Sequence, residues 1–281
     1  MAMPSQVKMG ARVLRELGEY ARALPASDAR HRPSPPESGL VVDVGSGQAP
    51  HPRADLIVDK YVADDFERGS ALVIDKPLVV GDGHALPFAD HAFSYIITSH
   101  VLEHATDPVV FASEMQRVAE AGFIQVPGRR AELTFGWPFH PWLIDREGSA
   151  LVFCPRGEAK APDGDYFHRA FTDSAVFALW FAAHRDDWHH SVHWERSFDV
   201  RVEGASAAPQ TADLDVELTL RTLNEMSVVG PTGALRATLR CPADHGVLAD
   251  EPSALHCESC GRSYPVANGV PVLLAEAATT A

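Results

Sequence analysis

The sequence predicts an α/β protein in which a mostly parallel sheet carries helices on both faces and a small β module follows. Valine- and isoleucine-rich strand segments alternate with crossover segments from residue 40 to residue 126, the order typical of parallel sheets. The first of these strands breaks into a turn with two alternate glycines. Beyond residue 239, three cysteines lie among turn residues and short apolar runs, which indicates a separate small module.

The glycine turn after the first strand predicts a nucleotide-binding site. Residues 41–44 are rich in valine, as in a strand buried on both faces. Gly45 and Gly47 allow the backbone to turn sharply against a ligand. A dinucleotide fingerprint would need a third glycine where Pro50 stands, and an ATP-binding P-loop would need Gly-Lys-Ser or Gly-Lys-Thr after Gly47. Both alternatives are therefore disfavoured.

Three ordered motifs carry a family resemblance. The first is Asp43-x-Gly45-x-Gly47, and the second is the strand Leu-Ile-Val-Asp that ends at Asp59. The third spans residues 79–104 and contains Gly-Asp-Gly-His-Ala-Leu-Pro-Phe and Ser-His-Val-Leu-Glu-His. Together they resemble the class I S-adenosylmethionine-dependent methyltransferases of the type 11-like group. The resemblance implies a Rossmann-like, mostly parallel sheet and S-adenosyl-L-methionine as the cofactor.

The resemblance also implies roles for individual residues. Asp59 would accept hydrogen bonds from the ribose hydroxyls, Asp82 would accept from the adenine amino group, and His84 would offer its backbone amide to adenine. The glycine turn would pass under the methionine part. The expected cofactor-binding residues are Asp43, Gly45, Gly47, Asp59, Asp82, Gly83, His84 and Ser99. In each case the alternative is an ordinary turn or helix-capping role.

The connection between the first two strands departs from the usual pattern. Only residues 48–55 separate the glycine turn from the next strand, and Pro50 and Pro52 lie among them. Because parallel strands are usually joined by a longer crossover with a helix, we expect a tight, irregular loop here. The cofactor is a cation without phosphates, so the loss of a helix N-terminus costs its binding little.

The segment at residues 127–144 is the predicted acceptor region, because it combines an acid, two arginines, aromatic residues and a histidine. Methyl transfer to a hydroxyl requires alignment, exclusion of water and removal of a proton. His140 is the first candidate for the general base, with Trp137, Phe139 and Trp142 shielding the reaction. His104 and His100 are the alternatives, and a purely structural role is open for all three histidines.

The remaining segments predict further elements. Residues 6–24 have helical apolar spacing, and a proline-rich linker to residue 38 follows. Asp107-Pro108 begins a helix that leads into a strand at residues 123–126, and a helix with an N-cap signal at Thr172-Asp173 follows. Residues 192–202 and 214–223 alternate in hydropathy, which predicts late antiparallel strands. The histidines at 184–193 match no metal-site spacing and are expected to be packed or solvated.

The C-terminal module resembles the zinc-ribbon family of small methyltransferase activators. Cys241, Cys257 and Cys260 match three of its four ligand positions, and Asp244, next to His245, stands at the fourth. The resemblance implies Zn²⁺ held by the three thiolates and either Asp244 or His245, whereas packing without metal is the alternative. We expect an N-terminal helix and linker (1–38), a methyltransferase domain (39–235) and the ribbon (236–281).

Composition limits the partners. The chain of 281 residues has a formal net charge of −14, which disfavours binding to a polyanion such as RNA or DNA. No apolar run is long enough to span a bilayer, so we expect a cytoplasmic enzyme with reduced cysteines. A small-molecule or glycan-like acceptor, methylated on oxygen or nitrogen, fits best. The alternatives are an RNA or protein methyltransferase with a fused activator and a non-catalytic cofactor-binding scaffold.

Overall fold

The computed structural model describes residues 5–64, 68, 70–204 and 214–280. The helices are α1 (Ser5–Arg30), α2 (Pro108–Val118), α3 (Arg129–Phe135), α4 (Gly164–Asp173), α5 (Ala175–Ala183), α6 (Val216–Glu225) and α7 (Gly233–Ala237). The strands are β1 (Val41–Val44), β2 (Leu56–Asp59), β3 (Leu78–Gly81), β4 (Tyr95–Ser99), β5 (Ala121–Pro127), β6 (Trp142–Glu147), β7 (Ala150–Pro155), β8 (His189–Glu195), β9 (Val200–Val202), β10 (Leu248–Asp250), β11 (Ala254–Cys257), β12 (Arg262–Ala267), β13 (Val270–Leu273) and β14 (Thr279–Thr280).

The central sheet has the order β13-β3-β2-β1-β4-β5-β8. Neighbouring strands from β13 to β5 run parallel, and β8 is antiparallel to β5. The predicted mostly parallel α/β sheet is confirmed. Because β1 lies between β2 and β4, the chain reverses direction across the sheet at β1, which is where α/β proteins bind ligands.

Both faces of this sheet are buried. Val42, Leu56 and Ile96 point into the main core, which α2 completes through Met115. The alternate residues of the same strands, such as Tyr95, pack on the opposite face. Residues that point to either face of the sheet are mostly apolar, so the strands form nearly continuous apolar runs. This pattern is typical of a parallel sheet and predicted one here.

The connection from β1 to β2 is a tight loop without a helix, as predicted. Its turn places the Asp43 carboxylate 2.8 Å from the amide nitrogen of His51, which donates to it. At the far end of the loop, Asp55 accepts from the amide of Val41 and from Arg53. Side-chain carboxylates thus replace the hydrogen bonds that a crossover helix would supply.

The acceptor region is more structured than a loop. The segment after β5 contains α3 and then continues into β6, which pairs with β7 in a second sheet completed by β9. Glycine ends α3 because Gly136 has a φ of 70°, the left-handed conformation that terminates helices. The predicted N-cap at Thr172-Asp173 is wrong: α4 ends there, and the Ser174 side chain caps α5 by accepting from the amide of Phe177.

The expectation of late antiparallel strands is correct for β8 and wrong for two other segments. β9 lies in the second sheet, parallel to β7. Residues 216–225 form α6, because the Asp215 carboxylate caps the amide of Leu218, and Thr219 and Leu223 share one buried helical side. The spacing of the apolar residues fits both a strand and a helix, and the N-cap at Asp215 selects the helix.

The N-terminal helix is confirmed, but it is longer than expected, and the linker begins at residue 31 rather than 26. Its end is held by Asp186, which pairs with Arg30 and lies 2.8 Å from His31 Nε2. Tyr20 contacts His184 edge-on, 5.4 Å between ring centroids. Within the part of the chain that the structure describes, no helix is both long and apolar enough to cross a membrane.

The C-terminal module is continuous with the central sheet. Its strands β10 to β13 form an antiparallel meander, and β13 pairs in parallel with β3 through Val272 opposite Val80 and Leu273 opposite Gly81. The Asn268 side chain donates to the carbonyl of Met226 beyond α6, 2.8 Å away. The module therefore covers an edge strand that would otherwise be open to pairing with another chain.

Candidate functional site

A cavity of about 1040 Å³ opens at the carboxyl ends of β1 to β4. One half is lined by the glycine turn and the ends of β2, β3 and β4, and the other by α3, α4, α5 and the segment between α3 and β6. Its polar and charged lining consists of Ser46, Gln48, Asp59, Lys60, Asp64, Arg68, Asp82, His84, Ser99, His100, Glu103, His104, Thr106, Gln125, His140, His168, Arg185 and His189.

The glycine turn lies against the cavity in a conformation that favours glycine. Gly45 and Gly47 have φ values of 69° and 55°. A Cβ atom on Gly45 would come within 2.4 Å of Val101 Cγ2, whereas for one on Gly47 the nearest atom would be Arg68 Cδ, at 3.4 Å. Glycine is therefore required at position 45 because of its positive φ and because the segment after β4 packs closely against it.

Asp43 supports the turn from below. Its carboxylate is buried and accepts from the His51 amide, and it does not line the cavity in the described part of the chain. Burial raises the pKa of Asp43 to about 7, and Asp59 adds to the shift. The structure thus places this acid one layer behind the surface that a cofactor would contact.

Asp59 is a buried acid at the cavity wall. Its Oδ1 accepts from the Tyr61 amide at 3.0 Å and from Arg68 Nη1 at 3.1 Å. Burial raises the pKa of Asp59, against the lowering influence of Arg68. Since Arg68 already pairs with one oxygen, its guanidinium keeps the carboxylate oriented and able to accept hydrogen bonds.

Asp82 and His84 form a second polar group on the same wall. Asp82 Oδ1 lies 2.8 Å from the His84 amide nitrogen and 2.7 Å from His84 Nδ1, and Oδ2 lies 2.7 Å from Lys60 Nζ. Burial would raise the pKa of Asp82, but His84 and Lys60 together hold it well below its usual range. The His84 ring also accepts from the Asp107 amide at Nε2, so its Nδ1 carries the proton.

The other expected cofactor residues also lie at this wall. Ser99 ends β4 and lines the cavity, as does Gly83. A Cβ atom on Gly83 would come within 2.0 Å of Phe111, so glycine is needed for the packing of α2 against the wall. The residues present fit a nucleoside cofactor: glycines admit close approach, and Asp59 offers an acceptor at the neighbouring strand end.

Glu103 and His100 mark the junction of the two halves. Glu103 is fully buried, and its Oε1 accepts from His100 Nδ1 at 3.2 Å. Its Oε2 is buried and has no hydrogen-bond partner among the residues that the structure describes. Burial opposes ionisation, but His100 and the neighbouring histidines outweigh it and bring the pKa of Glu103 to about 2.

The predicted base His140 lies in the second half of the cavity, between α3 and β6, within a network that the sequence did not reveal. Its Nδ1 is 2.6 Å from Oε1 of the fully buried Glu132, whose other oxygen pairs with Arg156. His104 contacts His140 edge-on, with 4.5 Å between ring centroids. Burial lowers the pKa of His140 to about 3, so its imidazole is neutral near pH 7. Burial also raises the pKa of Glu132.

The rest of the second half of the cavity is an aromatic wall. Trp137 stacks on His140, with 5.3 Å between ring centroids, and Phe139 stacks on His104 at 5.7 Å. Phe135, Phe171 and Phe181 extend this surface along α3, α4 and α5. The wall therefore suits a flat, apolar group better than a strongly hydrated one.

Several cavity residues were not among the sequence candidates. Lys60, Arg68 and His189 line the cavity, and Glu132 lies behind it against His140; none of the four is in the family motifs or at recognisable spacing. His189 is the first residue of β8, and its ring lies 5.1 Å from that of His100. Only the segment composition around Glu132 carried a signal, because an acid among aromatic residues suggested a pocket.

The C-terminal module brings together four potential metal ligands. The thiols of Cys241, Cys257 and Cys260 and the carboxylate of Asp244 lie within 4.8 Å of one another. His245 is not part of this group and has a φ of 58°. Three thiolates with one carboxylate fit a tetrahedral zinc site, so the donor chemistry of the module is compatible with Zn²⁺.

Comparison with known families identifies the class of protein. Residues 42–124 match the family described as "Methyltransferase domain", and residues 235–269 match the "Trm112p-like protein" family. The chain therefore combines a methyltransferase domain with a class I fold and a Trm112p-like C-terminal module with a zinc-ribbon-like cysteine cluster.

Particular proteins are similar to it over parts of the chain. A demethylmenaquinone methyltransferase from Renibacterium salmoninarum is 31% identical over 157 residues, which cover 53% of this chain and 65% of the relative. A complex of the Haloferax volcanii Trm112 methyltransferase activator with a protein described as a methyltransferase matches at 15% identity and a TM-score of 0.37, covering 66% of this chain and 94% of that chain. A Pyrococcus horikoshii protein has 15% identity, a TM-score of 0.32 and coverages of 57% and 82%.

Proposed function

We propose that this protein is an S-adenosylmethionine-dependent methyltransferase that acts on a small acceptor with a planar, apolar part. The observation that carries the proposal is the division of one cavity into two chemically different halves. Strand ends with glycines and acids form the first half, and aromatic side chains with histidines form the second. Methyl transfer needs a donor and an acceptor held side by side without water, and such a cavity supplies both places.

The cofactor would be held by the residues of the first half. Gly45 and Gly47 would lie under its methionine part, Asp59 would accept from the ribose, and Asp82 with Gly83, His84 and Ser99 would face the adenine. When bound, the cofactor supplies an electrophilic methyl group on a cationic sulfonium. Lys60 and His84 hold the Asp82 carboxylate in place. Asp82 would therefore orient these two side chains as well as accept a hydrogen bond from the adenine.

The acceptor class follows from the second half. Its surface is formed by Phe135, Trp137, Phe139 and Phe181, and aromatic walls bind planar rings through stacking and burial. The name of the Renibacterium relative refers to demethylmenaquinone, which supports an acceptor of apolar character. A glycan-like acceptor is less well matched, because the described wall offers such a ligand few polar partners outside the histidines.

The proton of a hydroxyl or amine acceptor would go to His100. Its Nδ1 donates to Glu103, which orients the ring and leaves Nε2 with a lone pair at the cavity. His100 is half exposed, whereas His140 is buried, and burial lowers the pKa of His140 to about 3. A base works best when its pKa lies near the working pH, so His140 is better suited to binding than to accepting a proton.

The Trm112p-like module would act in the same chain as a brace. By pairing β13 with β3, it fixes the strand that leads to Asp82, and Lys60 lies between Asp82 and Glu276 of the module. Cys241, Asp244, Cys257 and Cys260 would hold Zn²⁺. We place the enzyme in the cytoplasm, where thiols stay reduced. The net charge of −14 speaks against RNA or DNA as a partner.

Calorimetry with S-adenosylhomocysteine, followed by transfer assays with labelled S-adenosylmethionine, tests the proposal. We expect micromolar binding by the full chain, and transfer to hydroxylated aromatic compounds in preference to sugars or tRNA. Gly45→Ala should remove both signals. Absence of binding at millimolar cofactor would reject the enzyme, whereas binding with transfer only to tRNA or a protein would reject the acceptor class.

A further inference from the structure

Glu103, His104 and His140 lie together at the boundary between the two halves of the cavity. Their potential ligand atoms, one carboxylate oxygen and two imidazole nitrogens, are within 4.8 Å of one another. They come from the short helical turn after β4 and from the segment between α3 and β6. The grouping is therefore tertiary, and no spacing in the sequence reveals it.

Glu103 carries an unused acceptor. The residue is fully buried, its Oε1 accepts from His100, and its Oε2 is shielded from the surface and has no hydrogen-bond partner in the part of the chain that the structure describes. A buried carboxylate oxygen without a partner is destabilising, because it has lost its hydration without gaining a hydrogen bond or a counter-ion. A cation bound at Oε2 would remove that cost.

His140 is oriented as histidine ligands of metals are. Its Nδ1 lies 2.6 Å from Oε1 of Glu132, and Arg156 pairs with the other oxygen of Glu132. Because the Arg156 pair favours the carboxylate form of Glu132, Nδ1 is the donor in this bond. This bond leaves Nε2 of a neutral ring with its lone pair available. A carboxylate behind the histidine is the usual outer shell of metal sites, where it fixes the tautomer and the ring orientation.

We propose that Glu103, His104 and His140 bind a first-row divalent transition-metal ion, with Glu132 as the outer-shell residue that positions His140. Two imidazoles and one carboxylate suit Mn²⁺, Fe²⁺, Co²⁺ or Zn²⁺ better than Mg²⁺ or Ca²⁺, which prefer oxygen ligands. Three protein ligands leave coordination positions open, and all three residues line the cavity.

The role of this ion in transfer rests on the proposed function. An acceptor hydroxyl that binds at an open position becomes more acidic because the metal stabilises its oxyanion. His100, which contacts Glu103 from the other side, would receive the proton. The O–H bond would break with its electron pair left on oxygen. That oxygen would form the bond to the methyl carbon while the carbon–sulfur bond of the cofactor breaks, with its electron pair going to sulfur and S-adenosylhomocysteine leaving.

Metal titration of the chelator-treated full chain tests the site. Mn²⁺ is the probe, followed by the loss of the free-ion signal in electron paramagnetic resonance, because manganese prefers carboxylate and imidazole to the thiolates of the C-terminal module. We expect one site in the unmodified chain, no measurable site in Glu103→Gln and about 10- to 100-fold weaker binding in Glu132→Gln. His31→Gln is the matched control and should keep the Mn²⁺ affinity of the unmodified chain, since His31 also pairs with a carboxylate but lies outside the cavity lining and is hydrogen-bonded at both ring nitrogens.

Each variant is also titrated with S-adenosylhomocysteine, which separates the two proposals. Equal Mn²⁺ affinity in the unmodified chain and in Glu103→Gln, or no Mn²⁺ site at all, overturns the metal site even if the cofactor binds normally. Metal binding without cofactor binding keeps the metal site and rejects the methyltransferase. For a Glu103→Gln chain that fails to fold, His140→Gln replaces it, judged by the same loss of the manganese site with an unchanged circular dichroism spectrum.

Discussion

The cofactor half and the acceptor half of the cavity differ in how their polar groups are satisfied. At the cofactor half, both oxygens of Asp82 are paired, with His84 and Lys60. At the junction with the acceptor half, Glu103 is more deeply buried, and one of its oxygens has no hydrogen-bond partner among the described residues. In the first half, the carboxylate oxygens of Asp82 already have partners before a ligand binds. At the junction with the second half, a buried carboxylate oxygen of Glu103 is left for a further ligand to satisfy.

The largest effect should come from the glycine turn. In Gly45→Ala, the new Cβ meets Val101 at 2.4 Å in a backbone with φ of 69°, so the turn has to move. We expect at least about 100-fold weaker S-adenosylhomocysteine binding by calorimetry, which corresponds to roughly 2.7 kcal/mol.

Gly148→Ala is the matched control for this change. Gly148 also has a positive φ, of 63°, but its Cβ would meet nothing within 4 Å. It should lose about 1 kcal/mol of stability from backbone strain and no cofactor affinity. Equal cofactor binding by both variants would mean that the turn does not contact the cofactor.

Asp59→Asn should have the next largest effect. Asparagine keeps the shape of the side chain but loses the charge that strengthens hydrogen bonds to the ribose and to Arg68. We expect about 10- to 50-fold weaker binding of S-adenosylhomocysteine, and less weakening for adenine alone, which has no ribose. A uniform loss for both ligands would show that the substitution disturbs the wall rather than the ribose contact.

Trp137→Leu should separate the halves. Trp137 stacks on His140 and Phe135, on the side away from the glycine turn. The variant should raise KM for an aromatic acceptor substrate about tenfold, because stacking and buried area are lost. It should change the S-adenosylhomocysteine affinity less than about twofold. Steady-state kinetics and calorimetry measure the two values. A large loss of cofactor affinity would break the division of the cavity.

The two halves also differ in what the sequence could predict. The proposed cofactor half could be predicted from local patterns, because the carboxyl ends of parallel strands meet at one rim and the motifs of the family resemblance mark Asp59, Asp82 and Ser99 at those ends. The acceptor half is formed by α3 to α5 and β8, which meet through contacts distant in sequence, such as Glu132 with Arg156 and His100 with His189. No periodicity encodes such contacts.

The strand expected at residues 214–223 shows a second limit. Alternation and helical spacing both fit its apolar residues, and the Asp215 cap together with the buried contacts of Leu223 selects the helix. The chain spans 65% of the length of its Renibacterium relative, and the acceptor half is the part for which the motifs give least guidance. Tertiary contacts therefore decide both the late elements and the acceptor chemistry.

Asp43→Asn should have the smallest effect. The direction in which it changes the free energy of unfolding, together with the cofactor affinity, tests whether Asp43 supports the turn or contacts the cofactor. Burial raises the pKa of Asp43 from 3.8 to about 7, so between these values the folded chain binds more protons than the unfolded chain. Stability therefore falls as pH rises from about 4 to 7.

Asparagine at position 43 removes this loss of stability and still accepts from the His51 amide. The variant should gain at least about 1 kcal/mol relative to the unmodified chain between pH 5 and pH 8, measured by urea unfolding, with cofactor affinity within a few-fold. Asp55→Asn, in the same loop, controls for the loss of one carboxylate. A stability difference that does not vary with pH would contradict the raised pKa of Asp43. A loss of cofactor affinity as large as that of Asp59→Asn would place Asp43 in contact with the cofactor instead of behind it.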